Sequence, residues 1–417
     1  VKDRNDIEIV LVGDELLKGE RSDAHLGYMG RALGRCGARV ARAHVVGDIV
    51  DAIAEVVAER IAAARVLIVT GGLGPTPDDI TRVGVAKALG LDLEFDEPTW
   101  EAIQRFFADR GRVASDVNRQ QAEFPAGATI IPNQLGTAPG FAIDHEGATV
   151  VVLPGPPVEV QRMLESNVLP LVRGIFQCEP VRVETYRTIG IGESAMREIL
   201  GGELDAITAY HVASLPSRIG VDIVLTQKSA RLGRAVLDEE ADRLERDLRG
   251  VIGTKLYERG ERSLFEVVHD ELVRRGETLA VAESLSGGWI GKMFTDLPGS
   301  SAHFLADVVA YSDEAKIEYL GVRTETLSAF GAVSEETCTE MVHGIRHRTG
   351  ATYGLATTGI AGPEGGTPKK PLGLTFIGVS WDGGCLVKRQ VYGGTRDDVR
   401  QRAVHGVVWL LYDHLVG

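Results

Sequence analysis

Short apolar runs that stop on glycine turns, each followed by helical spacing, recur along this chain and leave it few folds to adopt. Ile7–Val12 ends at Gly13, Val66–Thr70 runs into Gly71-Gly72-Leu73-Gly74-Pro75, and Thr149–Leu153 stops at Pro154-Gly155-Pro156-Pro157. Ala38–Val46 reads as a further strand. Leu26–Cys36, a segment capped by Asp48 and running to Ala64, Thr81–Leu89, Pro98–Arg110 and Val158–Arg173 read as helices. Strand–helix alternation of this kind predicts a parallel sheet covered on both faces, and so an α/β fold.

The pattern changes twice. Near Cys178-Glu179-Pro180 it gives way to alternating strands, Val181–Thr188 and Gly220–Gln227, with helices at Glu193–Leu200 and Ala235–Arg249. Around Tyr257–Glu261 it returns to α/β, with a helix at Leu264–Arg275 and a strand at Thr278–Ala282. A chain of 417 residues has room for two to four domains. The expected division is therefore three: 1–175, 176–257 and 258–417, α/β, small α+β, and α/β. Glycine supplies 50 residues, well above average usage, as expected of many tight turns and close backbone–ligand approaches.

The net charge of −14 disfavours broad electrostatic binding of nucleic acid. No apolar run approaches the ~18–20 residues that span a bilayer, so no membrane partner is expected. Val1–Val10 is charged and then strand-like, without the pattern of a secretory leader, and a cytoplasmic protein is expected. Cys36, Cys178, Cys338 and Cys385 lie far apart and form no CxxC, so ordinary reduced thiols are expected rather than a zinc site or disulfide framework.

Four acid- or proline-bearing glycine turns stand at strand ends of the first segment. They place Gly13, Asp14 and Glu15, then Gly71, Gly72, Gly74, Thr76, Asp78 and Asp79, then Gly136 and Thr137, and finally Gly155 and Pro156. Ligands of open α/β sheets bind at the carboxyl ends of strands, where glycine lets backbone N–H groups approach phosphate. Asp78 and Asp79, taken alone, read as the opening of a helix. Clustered with the other turns, they suit a divalent cation that bridges substrate phosphates and polarises phosphorus toward water.

The strings GDELLKG, GGLGPTPDDIT, NQLGTAPGF and LPGPPVE resemble the amino-terminal domain of the CinA (competence/damage-inducible) family, which is related to the molybdopterin-binding MoaB/MogA fold. The resemblance covers about residues 1–172. It implies an ADP-ribose pyrophosphatase that needs Mg, Mn or Co, with a non-catalytic, regulatory nucleotide- or pterin-binding module as the alternative. His25 stands where an asparagine is expected, and taken alone it reads as a surface or helix-face histidine.

Residues 180–255 resemble the KH-like domain of the same family. Gly190-Ile191-Gly192-Glu193 lacks the second glycine of the GXXG loop that clamps nucleic-acid backbones, and the Ala235–Arg249 helix mixes both charges. A structural or dimerisation role is expected. The family's name suggests DNA uptake, and the charge counts against direct contact.

The third segment carries Ala282-Glu283-Ser284 with Gly287 and Gly288, Gly299-Ser300-Ser301, Tyr311 through Lys316, Thr358-Gly359 with Gly362, and Arg396. Serine and a lysine of lowered pKa can hydrolyse an amide without metal, with glycine-turn N–H groups for the oxyanion and an arginine for phosphate. Each serine alone reads as a helix N-cap, Ser284 before a helix through Phe294 and Ser300 or Ser301 before another. No histidine sits in these motifs to support a Ser-His-Asp triad.

Together AES-x-x-GG and TTGIAGPEGG resemble the CinA carboxy-terminal domain over about residues 260–417. The resemblance implies a cofactor-free nicotinamide-nucleotide amidohydrolase with a Ser/Lys dyad. Lys316 is the matching lysine, and the serine is Ser284 or Ser301. Tyr311, Thr358 and Arg396 match the support residues for proton relay, oxyanion or hydroxyl contacts, and phosphate. Leu285-Ser286 replaces an expected Cys-Thr. The implied partners are nicotinamide mononucleotide (NMN), ADP-ribose and a second copy of the chain.

Overall fold

The computed structural model describes residues 6–229 and 231–417, so residues 1–5 of the Val1–Val10 stretch lie outside the described residues. The chain forms two compact units, Val1–Arg182 and Val183–Gly417.

The first unit is built on a six-stranded sheet in the order Val40–Val46, Ile7–Val12, Val66–Thr70, Ala148–Leu153, Gly140–His145, Thr129–Ile131. Ile7–Val12 and Ala148–Leu153 are buried at every position. Val10 and Val12 face a core with Ile53, Val57 and Val85, while Ile9 and Leu11 face another with Met29, Leu33 and Val168. Burial on both faces explains why these strands are apolar throughout instead of alternating.

The first four strands are parallel, as expected, but the last two are antiparallel. Glu146 and Gly147 both adopt positive φ, 46° and 82°, and turn Gly140–His145 straight back into Ala148–Leu153. A two-residue hairpin of that kind joins antiparallel strands.

Two helical expectations are also corrected. The Asp48 side chain does not cap the following helix, Val50–Ile61, whose N-cap is Ile49. It accepts instead from the Asp14 N–H at 2.8 Å, while the Asp48 N–H donates to Asp14 at 3.2 Å, tying two strand-end turns together. The helix expected over 158–173 is Pro157–Met163, a π turn Leu164–Val168, and Leu169–Phe176. Pro170 has no N–H to give the carbonyl one turn back, and the helix widens where that bond is lost.

The second unit contains two sheets. The first is antiparallel, in the order Tyr210–Pro216, Val221–Gln227, Val183–Thr188, Leu256–Arg259. Helices Glu193–Asp205 and Arg234–Ile252 share its core, through Leu200 and Leu244 against Tyr186 and Ile223.

The second sheet runs Phe304–Val309, Leu279–Glu283, Tyr353–Gly359, Leu374–Trp381, Gly384–Val391. Its first three strands are parallel and the rest antiparallel. Helices Leu264–Arg275 and Arg396–Val416 cover one face, and Glu335–Thr349 covers the other. Because Leu279–Glu283, Phe304–Val309 and Tyr353–Gly359 run in one direction, the turns that follow them open at one edge. Among the described residues no helix is long and apolar enough to cross a membrane.

Candidate active site

At that edge the chain leaves Glu283 into Ser284 and leaves Val309 into Ala310 and Tyr311. Helix Asp313–Leu320 follows, started by Ser312, whose Oγ accepts from the Ala315 N–H at 3.2 Å. The helix carries Lys316 back under the turn. Lys316 is 1% exposed, and its Nζ stands 3.3 Å from Ser284 Oγ while donating to the Ala310 carbonyl at 2.9 Å. Burial holds its pKa below the usual 10.5, with the Asp313 carboxylate opposing. A buried amine shifted this way, within hydrogen-bond reach of a hydroxyl, has the arrangement that a general base and its nucleophile require.

The Ser284 turn is held from two sides. The Ser284 N–H donates to the Thr357 carbonyl at 3.0 Å, and Ser286 Oγ pairs with Thr357 Oγ1 at 2.6 Å. From the final helix Arg400 donates to the carbonyls of Leu285 and Ser286, at 3.0 and 2.8 Å. Ser286 thus keeps a hydroxyl contact where the family resemblance led us to expect threonine. Gly287 and Gly288 take φ of 64° and 86°, and the helix begins only at Trp289 with Gly288 as its cap. Ser284 is therefore not a helix N-cap.

Ser301 is not brought to Lys316. It lies exposed in the single turn Ser300–Ala302, before the first residue of the Phe304–Val309 strand. Ala310 and the Lys316 ammonium lie past the other end of that strand, roughly 16 Å or more away at ~3.3 Å per residue. Of the two serines left open by the sequence, the geometry pairs Ser284 with the lysine.

The remaining positions fall on two sides. The Thr395–Asp398 capping box starts helix Arg396–Val416 and fixes Arg396, whose guanidinium donates to the Gly362 carbonyl at 2.9 Å and to the Tyr311 hydroxyl at 3.0 Å. Tyr311 is 62% exposed, so this pair faces solvent at the mouth. Thr358 is buried, and its hydroxyl donates to the Ala332 carbonyl at 2.7 Å, which braces the wall. Gly359 lets Leu374 approach, since a Cβ there would meet its carbonyl at 2.7 Å, and Gly362 has φ of 83°.

One acidic pair escaped the sequence reading. Glu283 is fully buried beside Ser284, and its Oε1 accepts from the Gly291 N–H at 2.9 Å. Asp307 lies on the adjacent strand, and burial together with the Glu283 carboxyl pushes its pKa up. A buried carboxyl beside a second one resists taking on charge, and here the shift falls on Asp307. The available signal was an acid inside each of two otherwise apolar strands.

In the first unit a cavity of about 630 Å³ gathers Gly13, Glu15, Gly71, Gly72 and Gly74, then Asp78 and Asp79, then Thr137, Gly155 and Pro156. Asp14, Thr76 and Gly136 do not line it. Asp14 is occupied by Lys18 at 2.9 Å and by Asp48, and Gly136 donates to Asn133 at 2.9 Å. Gly13 and Gly71 close turns rather than offer N–H groups, donating to the carbonyls of Val46 and Leu153 at 3.0 and 3.1 Å.

The helix after the proline turn starts at Thr81, so neither Asp78 nor Asp79 opens it. Asp79 instead accepts from the Thr76 N–H and hydroxyl at 2.8 and 2.5 Å. Asp48, Glu159 and His25 also line the cavity. Burial raises the pKa of Asp48, and the nearby Asp14, Glu15 and Asp78 carboxylates add to the shift. No group of three or more His, Cys, Asp or Glu that could hold a metal occurs among the described residues. Among the described residues the site thus has no ready-made cage; a cation held by one or two carboxylates together with a ligand's own oxygens would fit it.

The two sites define a two-part protein: an α/β unit whose strand-end cavity has acidic walls, and a buried Ser/Lys pair on a separate sheet. Residues 261–415 match the family described as "CinA C-terminal domain", and residues 8–174 match "Probable molybdopterin binding domain". The chain is 37% identical over 401 residues to a CinA-like protein of Kosmotoga olearia, covering 95% of each chain. It is 39% identical over 404 residues to a CinA-like protein of Gemmatimonas aurantiaca, covering 95% of this chain and 94% of the relative. A crystal structure of competence/damage inducible protein CihA from Agrobacterium tumefaciens is 35% identical, spans 36% of this chain and 96% of its own, and superposes with a TM-score of 0.35. The chain belongs to the CinA family.

Proposed function

We propose that the second unit hydrolyses the carboxamide of NMN to the acid and ammonia. The observation that carries this reading is Lys316, buried, of lowered pKa, and 3.3 Å from Ser284 Oγ. Ser284 Oγ attacks the carboxamide carbon as Lys316 Nζ takes its proton. The tetrahedral intermediate expels ammonia, which receives that proton from Lys316, and an acyl-serine remains. Water then attacks the ester with Lys316 again as base, releasing the carboxylate and restoring Ser284. Arg396, oriented by Gly362 and Tyr311 at the mouth, suits the substrate phosphate. No cofactor enters this chemistry. Ammonia release from NMN by the purified chain, absent in a Ser284→Ala variant, is the test.

For the first unit we propose hydrolysis of ADP-ribose to AMP and ribose 5-phosphate. Glu15, Asp48, Asp78, Asp79 and Glu159 line the cavity, with Arg21 and His25 as the basic residues among its walls. A pyrophosphate entering such walls needs a cation to balance charge, and Mg, Mn or Co would supply it and polarise phosphorus. Asp78 is exposed on the cavity wall, whereas the Asp79 carboxylate is held by the Thr76 hydroxyl, so Asp78 is the one best placed to meet that cation. A second reading, binding of a nucleotide or pterin without turnover, is favoured by the lack of a preformed ligand cage among the described residues and by the match at 8–174. Appearance of AMP from ADP-ribose separates the two.

A further inference from the structure

A second cavity, of about 500 Å³, lies within the Val183–Gly417 unit between its two sheets. Gly190, Ile191 and Gly192, the turn that lacks a complete GXXG, form part of its wall. Across from them stand Tyr392, Arg402 and Trp409. In a chain of net charge −14, the charged lining is mostly basic: Arg218, Lys255, Lys388 and Arg402 against Glu193. Among the described residues neither Lys255 nor Lys388 has a carboxylate partner. The Lys388 ammonium sits 4.9 Å from the centre of the Trp409 indole ring, and Arg402 donates to the carbonyls of Arg218 and Gly393. The Tyr392 hydroxyl has no hydrogen-bond partner among the described residues, and burial raises its pKa to about 12.

We infer that this cavity is a second ligand site, for a single nucleotide whose ring packs on Trp409 and Tyr392 and whose phosphates meet Lys255, Lys388 and Arg402. Unneutralised lysines beside an indole present both halves of that chemistry, a phosphate and an aromatic face. The volume falls in the range of small-molecule sites. The site also touches the machinery of the first sheet edge. Arg402 and Trp409 share helix Arg396–Val416 with Arg396, and the cavity residue Arg218 pairs with Asp397 and, at 3.1 Å, with Asp398. A bound nucleotide therefore biases the position of Arg396. This coupling, unlike the binding itself, rests on the amidase reading.

The experiment is photolabelling of the full chain with 8-azido-ADP, followed by peptide mapping. Label is expected on the peptides bearing Tyr392 or Trp409, with protection by ADP exceeding that by pyrophosphate or adenosine. A Lys255→Gln/Lys388→Gln variant should lose that label about tenfold or more, the effect of removing charge-assisted contacts. Its melting temperature and its NMN kinetics without ADP should be unchanged. Label confined to other segments, label indifferent to the double substitution, or equal protection by pyrophosphate overturns the site. ADP should also shift the KM for NMN in the parent chain and not in the variant. A correct label without that shift overturns the coupling alone, and labelling remains decisive if no ammonia is released.

Discussion

Lys316 Nζ reaches Ser284 Oγ at 3.3 Å inside the protein, although 32 residues separate them in the chain. The ammonium position is set by the Ala310 carbonyl, 2.9 Å away, and the hydroxyl position by a turn pinned to Thr357 and Arg400. Both partners are thus held before substrate arrives, as catalysis by positioned groups requires.

Removal of either partner should end turnover. Ser284→Ala and Lys316→Met are expected to lower kcat for ammonia release by about 10²-fold or more, the usual contribution of a positioned base or nucleophile. Ser301→Ala should leave it within about twofold, since no transition-state contact is lost. Methionine fills the lysine's volume, and an unchanged melting curve would show that the fold survives. Loss in Ser301→Ala with retention in Ser284→Ala would reverse the assignment.

The pH dependence has a fixed sign. Lys316 accepts a proton only as the neutral amine, so kcat/KM should rise with pH and level off above its pKa. Burial lowers that pKa, placing the limb below 10.5. The same shift affects stability. The unfolded chain binds the proton more readily, so stability falls as pH drops below 10.5 and levels off below the folded pKa. Lys316→Met should remove that slope from denaturation midpoints measured across pH.

Arg396 should act on the phosphate end alone. Arg396→Ala is expected to raise KM for NMN about tenfold or more, one charged hydrogen-bonding contact's worth. Hydrolysis of nicotinamide riboside, which lacks the phosphate, should change little. Equal losses on both substrates in steady-state assays would show that Arg396 supports the fold instead.

Asp78→Ala, and chelator, should abolish AMP formation from ADP-ribose while ammonia release from NMN continues. The two sites lie in separate compact units, so parallel loss of both activities would indicate general damage. AMP formed at full rate in chelator would exclude the cation.

Much of this protein was legible in local spacing. The strands Ile7–Val12 and Val66–Thr70 and the helices Thr81–Leu89 and Leu264–Arg275 fall where apolar periodicity and turn residues place them. Those signals act over a few residues, and neighbouring backbone geometry settles them. The glycine turns after Val12, Thr70 and Leu153 were visible for the same reason, as were the motifs that carry the family resemblance.

What local spacing could not decide was which residues meet. Ser284 and Ser301 look alike in sequence, yet parallel pairing sends one to the end of a strand and the other to the start of its neighbour. Asp79 reads as the opening of a helix until Thr76 is seen to hold its carboxylate. Glu283 and Asp307 become neighbours, and the Asp307 pKa rises, only when Leu279–Glu283 lies beside Phe304–Val309. Sequence by itself determined the elements and the residue types available for chemistry. Tertiary structure alone chose the partners, because strand pairing and burial join positions far apart in the chain, and burial is what lowers the pKa of Lys316.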